Sequence, residues 1–319
     1  MKKFYIIFLV TVIALFTAAC GTTKNEQDTA NKKTLNIYTT VYPLQYFAKR
    51  IGGSHVNVSS IYPPGSNEHT FEPTQRDMMN LADADYFFYV GLGLEGFVEK
   101  SKKSLQNEQV QMVETAAQVS KDKLAVSTGK EEDEHEGNHE DGHEHGQYDP
   151  HVWLSPVISQ DLAKSIKNAL VKAQPKNKAE FETNYESLVK DLNKLNNDYK
   201  TMAKNAKHKT FFVSHAAFGY IAGTYGLNQV AIAGLNSQDE PSQKTLAHIV
   251  DQAKEDNVRY ILFEQNVSSN LAKVIQNDIG AQPLTLHNLS VLTKEDIQHK
   301  EDYFTLMQRN IDTFKKALN

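Results

Sequence analysis

The sequence predicts an α/β protein of two lobes, each a mostly parallel sheet with flanking helices, joined by a single long helix. Short runs rich in β-branched and aromatic residues alternate with helical stretches up to about residue 175, and the alternation returns after residue 206. A regular apolar stripe occupies the region between them. The halves share this rhythm without a repeated sequence.

The first lobe is predicted over residues 34–175. A helix that follows each strand favours parallel pairing, because it returns the chain to the same end of the sheet. The expected strands are 35–41, 56–62, 85–90 and 110–113, and the expected helices are 43–51, 74–84 and 94–105.

The connecting helix is predicted over residues 176–205, just after Pro175. Its apolar residues recur at alternating spacings of four and three, which places them on one face of a helix about 40 Å long. They are Phe181, Tyr185, Leu188, Leu192, Leu195, Tyr199 and Met202. A coiled-coil dimer is the alternative, but a stripe with two aromatic side chains among its first residues and a methionine at its end favours packing on a globular body.

The second lobe is predicted over residues 206–319, with the same alternation of elements. Its expected strands are 210–214, 229–232, 259–264 and 283–286, and its expected helices lie near 217–225, 241–256, 270–280 and 301–318.

The N-terminus is predicted to direct the chain out of the cytoplasm. Residues 1–19 have two lysines, an apolar stretch and small residues before Cys20, which is typical of a secretory signal peptide. The ending resembles the lipobox of bacterial lipoproteins, in which the cysteine is lipidated; an ordinary signal peptide is the alternative. Residues 20–33 are polar and predict a flexible tether. We therefore expect an extracytoplasmic protein that is lipid-anchored to the cell membrane.

Composition excludes several classes of protein. With Cys20 as the only cysteine, the chain has neither a disulfide framework nor a cysteine-based zinc finger. A formal net charge of −5 argues against a nucleic-acid partner, which would call for a basic face.

Residues 127–148 predict a mobile loop rich in histidine and acidic residues. The stretch 131–148 holds eight acidic residues and no Lys or Arg. Its four histidines are His135, His139, His143 and His145. Imidazoles and carboxylates at this density favour loose capture of Zn²⁺ or Cu²⁺; the alternative is a solvated acidic loop.

Three other histidines predict one ordered metal site. His69 lies in a loop rich in Pro and Gly after the strand 56–62, His151 lies just after the histidine-rich loop, and His215 directly follows the strand 210–214. Ligands bind beyond the carboxyl ends of strands in open α/β sheets. Three imidazoles suit zinc and leave a fourth position open.

The remaining histidines outside the loop have surface-like contexts and no assigned role, apart from His287. They are His55, His208, His248 and His299.

Several motifs carry a family resemblance that runs from about residue 34 to the C-terminus. They are VYPLQYFAKRIGG (41–53), NEHTFEPT (67–74), DPHVWLSP (149–156), SHAAFGY (214–220) and IAGLNSQDEPS (232–242). Together with Cys20 they resemble the zinc- and manganese-binding lipoproteins of bacterial ABC importers, the cluster A-I solute-binding proteins.

The resemblance implies a metal between the lobes, with His69, His151 and His215 at the first three ligand positions. A histidine at the third position is similar to the zinc branch, whereas manganese members tend to have a carboxylate there. This agrees with the preference of Zn²⁺ for nitrogen ligands. The implied partners are an ABC permease and its cytoplasmic ATPase.

One position departs from the family. Many members have an acidic fourth ligand where this chain has Ser290. Water, Glu264 or His287 are the alternatives for that position. For Glu264, a hydrogen bond to a ligand histidine is favoured over direct ligation.

The leading functional hypothesis is a binding lipoprotein that captures Zn²⁺ in an interlobe site and delivers it to the permease, without catalysis. The alternatives are a manganese-binding homologue, a surface zinc hydrolase that uses the three histidines with Glu264 as base, and an adhesin. The H-E-x-x-H string of zinc proteases occurs only inside the low-complexity loop, at 135–139 and 139–143, and in none of the predicted helices.

Overall fold

Two parallel four-stranded sheets form the centres of the two lobes. The computed structural model describes residues 34–128, 148–239, 241–267 and 269–319. In the first sheet the strand order is β2-β1-β3-β4, and in the second it is β6-β5-β7-β8. All the ladders are parallel. The strands are β1 (Leu35–Thr39), β2 (Val56–Ser60), β3 (Tyr86–Tyr89), β4 (Gln111–Glu114), β5 (Thr210–His215), β6 (Asn228–Ala233), β7 (Tyr260–Glu264) and β8 (Gln282–Leu286).

The two sheets have the same topology, and it confirms the predicted fold class. In each, the strand order changes direction between the first and third strands of the lobe. Ligands of open α/β sheets bind beyond such a point. In the second lobe this point lies between the ends of β5 and β7, where His215 and Glu264 are the last residues of their strands.

The helices of the first lobe are α1 (Tyr42–Gly52), α2 (Gln75–Ala82), α3 (Val98–Ser104), α4 (Lys121–Leu124) and α5 (Pro156–Ala173). Local sequence accounts for their ends. Thr74 and Asp77 form a capping box at the start of α2. Gly53 ends α1 with a φ of 53°, a region that favours glycine.

Helix α5 was not predicted. Its buried residues Ile158, Leu162, Ile166 and Leu170 recur every four positions and face the core. Ser155 caps its first turn by accepting a hydrogen bond from the backbone N–H of Ile158.

The long connecting helix is α6 (Lys178–Asn205), which follows a 3₁₀ turn at Pro175–Asn177. The predicted stripe is buried within this chain, except for Tyr185, which is partly buried. The helix packs against α1 and α5. It is therefore a packed spine, because its apolar face is covered by its own chain. The lobe boundaries at residues 175 and 206 stay predictions.

The helices of the second lobe are α7 (Gly219–Tyr225), α8 (Gln243–Glu255), α9 (Asn270–Asp278), α10 (Lys294–Gln298) and α11 (Tyr303–Ala317). Helix α11 packs on α6 and β8 and also reaches α1 of the first lobe. There the ring of Tyr303 lies 5.1 Å from that of Phe47, and its hydroxyl donates to the carbonyl of Trp153 at 3.1 Å.

His55 does not have the surface context that its sequence indicated. It is 2% exposed, and its ring nitrogens lie 2.9 Å from Glu180 Oε2 and 3.0 Å from Asn177 Nδ2. It therefore ties the end of α1 to the start of α6. His208, His248 and His299 are exposed, as expected.

Within the described ranges, no helix combines the length and the apolar character that a membrane span needs. The predicted signal peptide 1–19, the tether 20–33 with Cys20, and the four histidines of the loop 127–148 lie outside the described residues.

Candidate metal centre

His69, His151 and His215 lie together between the lobes. One ring nitrogen from each falls within 4.8 Å of those of the other two. Nε2 of His69 and Nε2 of His151 are 3.2 Å apart. His151 and His215 are fully buried, and His69 is partly buried. Three converging imidazole nitrogens form a site that a zinc ion fits.

Each histidine is placed by a different part of the fold. His69 lies in the loop after β2, where its backbone N–H donates to Oδ1 of Asn67 at 2.9 Å. His151 precedes the 3₁₀ turn Val152–Leu154 that leads into α5. His215 is the last residue of β5. The centre therefore exists only when the two lobes meet.

A carboxylate lies behind two of the rings. Nδ1 of His151 is 2.8 Å from Oδ1 of Asp149, and Nδ1 of His215 is 2.8 Å from Oε1 of Glu264. A proton on Nδ1 leaves Nε2 to bind a metal, and the carboxylate fixes the ring orientation. Glu264 thus hydrogen-bonds to a histidine of the cluster, as its sequence position indicated.

The surroundings of His69 and of His215 shift their pKa values in opposite directions. Burial, followed by the nearby His151 and His215, lowers the pKa of His69 to about 2. Burial also lowers the pKa of His215, but the charge and hydrogen bond of Glu264 outweigh it and raise this pKa to about 9. In agreement, Nε2 of His215 lies 2.9 Å from the carbonyl oxygen of Leu235, which can accept its proton.

Three buried carboxylates surround the three imidazoles. Glu68, Asp149 and Glu264 are 1%, 0% and 5% exposed. In the part of the chain that the structure describes, the ion pairs of these carboxylates are with histidines and not with Lys or Arg. Burial and then the charge of Glu264 raise the pKa of Glu68. A divalent cation on the three histidines would supply the missing positive charge.

Two of the residues considered for the fourth position lie elsewhere. His287 does not join the cluster: its Nε2 is 3.0 Å from Oδ2 of Asp296, and its Nδ1 accepts from the backbone N–H of Leu289 at 2.9 Å. The hydroxyl of Ser290 donates to Oε2 of Glu68 at 2.9 Å. Both ring nitrogens of His287 are therefore occupied, and Ser290 faces a carboxylate.

The sequence did not point to Glu68 or to the amides that hold it. Oε1 of Glu68 lies 4.0 Å from Nε2 of His69 and accepts from Asn288 at 3.1 Å. The adjacency of Glu68 and His69 in NEHTFEP was the available indication. For Asn288 there was none, because a single asparagine in a loop forms no pattern.

The chain matches a known family over most of its length. The family model described as ZnuA, zinc-uptake complex component A periplasmic, matches residues 37–317. The high-affinity zinc uptake system protein ZnuA of Bacillus subtilis (strain 168) is 38% identical over 319 residues, which cover 99% of this chain and 98% of that protein. The zinc-binding lipoprotein AdcA of Streptococcus pneumoniae (strain ATCC BAA-255 / R6) is 35% identical, over 99% of this chain but 61% of AdcA.

Solved structures agree with this match. The Zn(II)-bound ZnuA-like domain of Streptococcus pneumoniae AdcA aligns with a TM-score of 0.72 and 32% identity, over 89% of this chain and 99% of that domain. The laminin-binding protein Lmb of Streptococcus agalactiae, described as bifunctional with adhesin and metal-transporting activity, aligns with a TM-score of 0.74 and 27% identity, over 89% and 100% of the two chains. The chain belongs to the ZnuA family of zinc-uptake components.

Proposed function

We propose that the chain is the extracytoplasmic solute-binding protein of a zinc importer, which captures Zn²⁺ between its lobes on His69, His151 and His215. The observation that carries this proposal is the convergence of three imidazoles, two of them oriented by buried carboxylates. Water or the carboxylate of Glu68 takes the fourth position. All three histidines bind through nitrogen, which favours Zn²⁺ over Mn²⁺.

Delivery follows from the family, whose members belong to uptake systems. We propose that the zinc-loaded protein docks on a membrane permease driven by a cytoplasmic ATPase. Lipid attached to Cys20 holds the protein at the membrane, and residues 20–33 give it reach. His135, His139, His143 and His145 raise the local zinc concentration beside the ordered site.

The chain is a binding protein and not an enzyme, because its family consists of transport components. The contacts of Glu264 agree with this. One oxygen accepts from His215 and the other accepts from Asn288 at 2.6 Å, so neither is free to act as the base of a zinc hydrolase.

Metal analysis tests the proposal. The mature protein, freed of loosely held metal by a weak chelator, should retain one Zn²⁺ per chain. The triple variant His69→Ala, His151→Ala, His215→Ala should retain none. The matched control replaces the exposed His208, His248 and His299 with Ala and should bind as the parent does. The proposal would be refuted if the variant of His69, His151 and His215 retained zinc, or if the parent bound Mn²⁺ more tightly than Zn²⁺.

The role of the histidine-rich loop needs a separate experiment. Deletion of residues 131–147 should slow zinc uptake under starvation while the chelator-resistant zinc remains. Unchanged uptake would show that the loop has no part in capture.

Adhesion is the alternative that the structural neighbours favour, since Lmb is described as an adhesin as well as a metal transporter. An adhesive surface need not include the metal centre. The triple histidine variant would then bind laminin as the parent does. If the parent does not bind laminin, adhesion to laminin is excluded.

A further inference from the structure

One buried amide connects carboxylates from the two lobes. Nδ2 of Asn288 donates to Oε1 of Glu68 at 3.1 Å and to Oε2 of Glu264 at 2.6 Å. Glu68 belongs to the first lobe and precedes His69, whereas Glu264 belongs to the second lobe and holds His215. Asn288 is fully buried. A continuous path of contacts thus runs from one histidine to another through this amide.

The orientation of the Asn288 amide is fixed by its other contacts. Its Oδ1 accepts from Nε2 of Gln265 and from the backbone N–H of Ser290, both at 3.1 Å. Its backbone carbonyl accepts from Nε1 of Trp153 at 2.7 Å. Because donors surround Oδ1, both hydrogens of Nδ2 point toward the carboxylates.

Two more neutral donors from the second lobe reach Glu68. The hydroxyl of Ser290 lies 2.9 Å from Oε2 of Glu68. Nδ2 of Asn266 has two hydrogens and three acceptors within reach: the same oxygen at 3.3 Å, the Ser290 hydroxyl at 3.1 Å and the carbonyl of Ser66 at 3.1 Å. We call Asn266, Asn288 and Ser290 the donor cluster. A carboxylate in place of Ser290 would face Glu68 and repel it, so the hydroxyl suits this arrangement.

We propose that Asn288, supported by Asn266 and Ser290, is a positioning residue that holds the lobes together over the bound metal and thereby sets the rate at which the metal leaves. The inference rests on the proposed zinc-binding function. Neutral donors hold two like-charged carboxylates without supplying a cation, so the positive charge is left to the metal. The lobes cannot separate at His69 and His215 without breaking these hydrogen bonds.

The experiment measures zinc association and release separately, by stopped-flow mixing with Zn²⁺ and with an excess of chelator. Asn288→Leu keeps the side-chain volume but removes the donors, and its release rate should rise about 10- to 100-fold, the usual cost of losing a partner behind a metal ligand. Its association rate should stay within about threefold of the parent's, since encounter does not need a closed cleft. Ser290→Ala, which removes one donor, should speed release by about 3- to 10-fold.

Ser237→Ala is the matched control. It removes another hydrogen bond between the lobes, from Nδ2 of Asn67 to the Ser237 hydroxyl at 2.9 Å, without touching a carboxylate. Its release rate should rise less than that of Ser290→Ala, because this bond joins two neutral, partly buried groups whereas Ser290 donates to a carboxylate. In a Glu68→Gln background, Ser290→Ala should add less than about twofold, because its partner has lost its charge.

The outcomes separate this inference from the function on which it rests. If the parent holds no chelator-resistant zinc, the proposed function fails. If the parent binds zinc and a folded Asn288→Leu variant releases it within about twofold of the parent rate, the inference alone is overturned. Equal acceleration by Ser237→Ala and Ser290→Ala overturns it as well. If Asn288→Leu does not fold, Ser290→Ala and its effect in the Glu68→Gln background decide the question.

Discussion

Gly219, the first residue of α7, allows the two lobes to approach closely beside the metal centre. A Cβ at this position would lie 2.2 Å from Oγ of Ser127, 2.6 Å from the carbonyl oxygen of Thr128 and 2.9 Å from Oδ2 of Asp149. Oγ of Ser127 also donates to Oδ2 of Asp149 at 2.5 Å, and Asp149 orients His151. Gly219→Ala therefore perturbs packing and the metal centre together.

The free-energy cost of Gly219→Ala can be worked out from these contacts. The hydroxyl of Ser127 can rotate away, but it then loses its hydrogen bond to Asp149. The carbonyl of Thr128 can only shift with its backbone. Overpacking of this kind costs about 1–3 kcal/mol, whereas the lower entropy of the unfolded alanine chain returns about 0.4–1 kcal/mol. We expect a net loss of about 1–2 kcal/mol, from the difference between these two effects.

Thermal unfolding of the metal-free protein and chelator competition for zinc are the two assays. The Tm should fall by about 2–6 °C, and zinc affinity should fall by about tenfold because Asp149 is displaced behind His151. Gly96→Ala is the control, since a Cβ there would meet nothing within 4 Å. A variant at Gly219 that matches the Gly96→Ala protein in both Tm and zinc affinity would refute the reasoning.

Three further predictions concern the same centre and the spine. Asp149→Asn keeps the side-chain shape but removes the charged acceptor at Nδ1 of His151, so zinc affinity should fall by about 10- to 100-fold in chelator competition. Burial lowers the pKa of His215 but Glu264 outweighs it, giving about 9 against an ordinary 6.5, and zinc must displace this proton. Zinc affinity should therefore rise by about tenfold per pH unit up to about pH 9, while the metal-free fold loses stability between about pH 6.5 and 9. Leu192→Ala opens a cavity in the spine, and urea unfolding should show a loss of about 2–5 kcal/mol.

Each of these has its own control or contrary result. Asp83→Asn, at an exposed position, should leave zinc affinity unchanged. Calorimetry in buffers of different ionisation enthalpy should detect a proton released with each zinc bound at pH 7, and the absence of that proton would contradict the role of His215. Lys190→Ala, on the exposed side of the spine, should change stability by less than about 0.5 kcal/mol, against which Leu192→Ala is judged.

The sequence was sufficient to predict the sheets and the spine because their patterns are local. Each strand is a short β-rich run, and the buried stripe of α6 repeats every three or four residues. The same kind of pattern is present in the sequence of α5, from Ile158 to Leu170, directly after the motif DPHVWLSP. The burial of His55 was not predictable, because Asn177 and Glu180, which enclose it, lie more than a hundred residues away.

Only part of the candidate metal centre was predictable from local patterns. His69 and His215 follow strands, so their position at the carboxyl edges of the sheets could be inferred. The contact between Glu68 and Asn288 spans 220 residues and depends on how the two lobes close. No periodicity or motif encodes such a pair, since each residue type is common in surface loops.

The return of α11 to the first lobe has a consequence for how the protein is made. Tyr303 lies against Phe47 and Tyr46 and donates to the carbonyl of Trp153, so the core of the first lobe includes a residue from the last helix. The first lobe therefore cannot complete its core while the chain is still being synthesised. We expect the two lobes to reach their final form together, only after the whole chain has emerged.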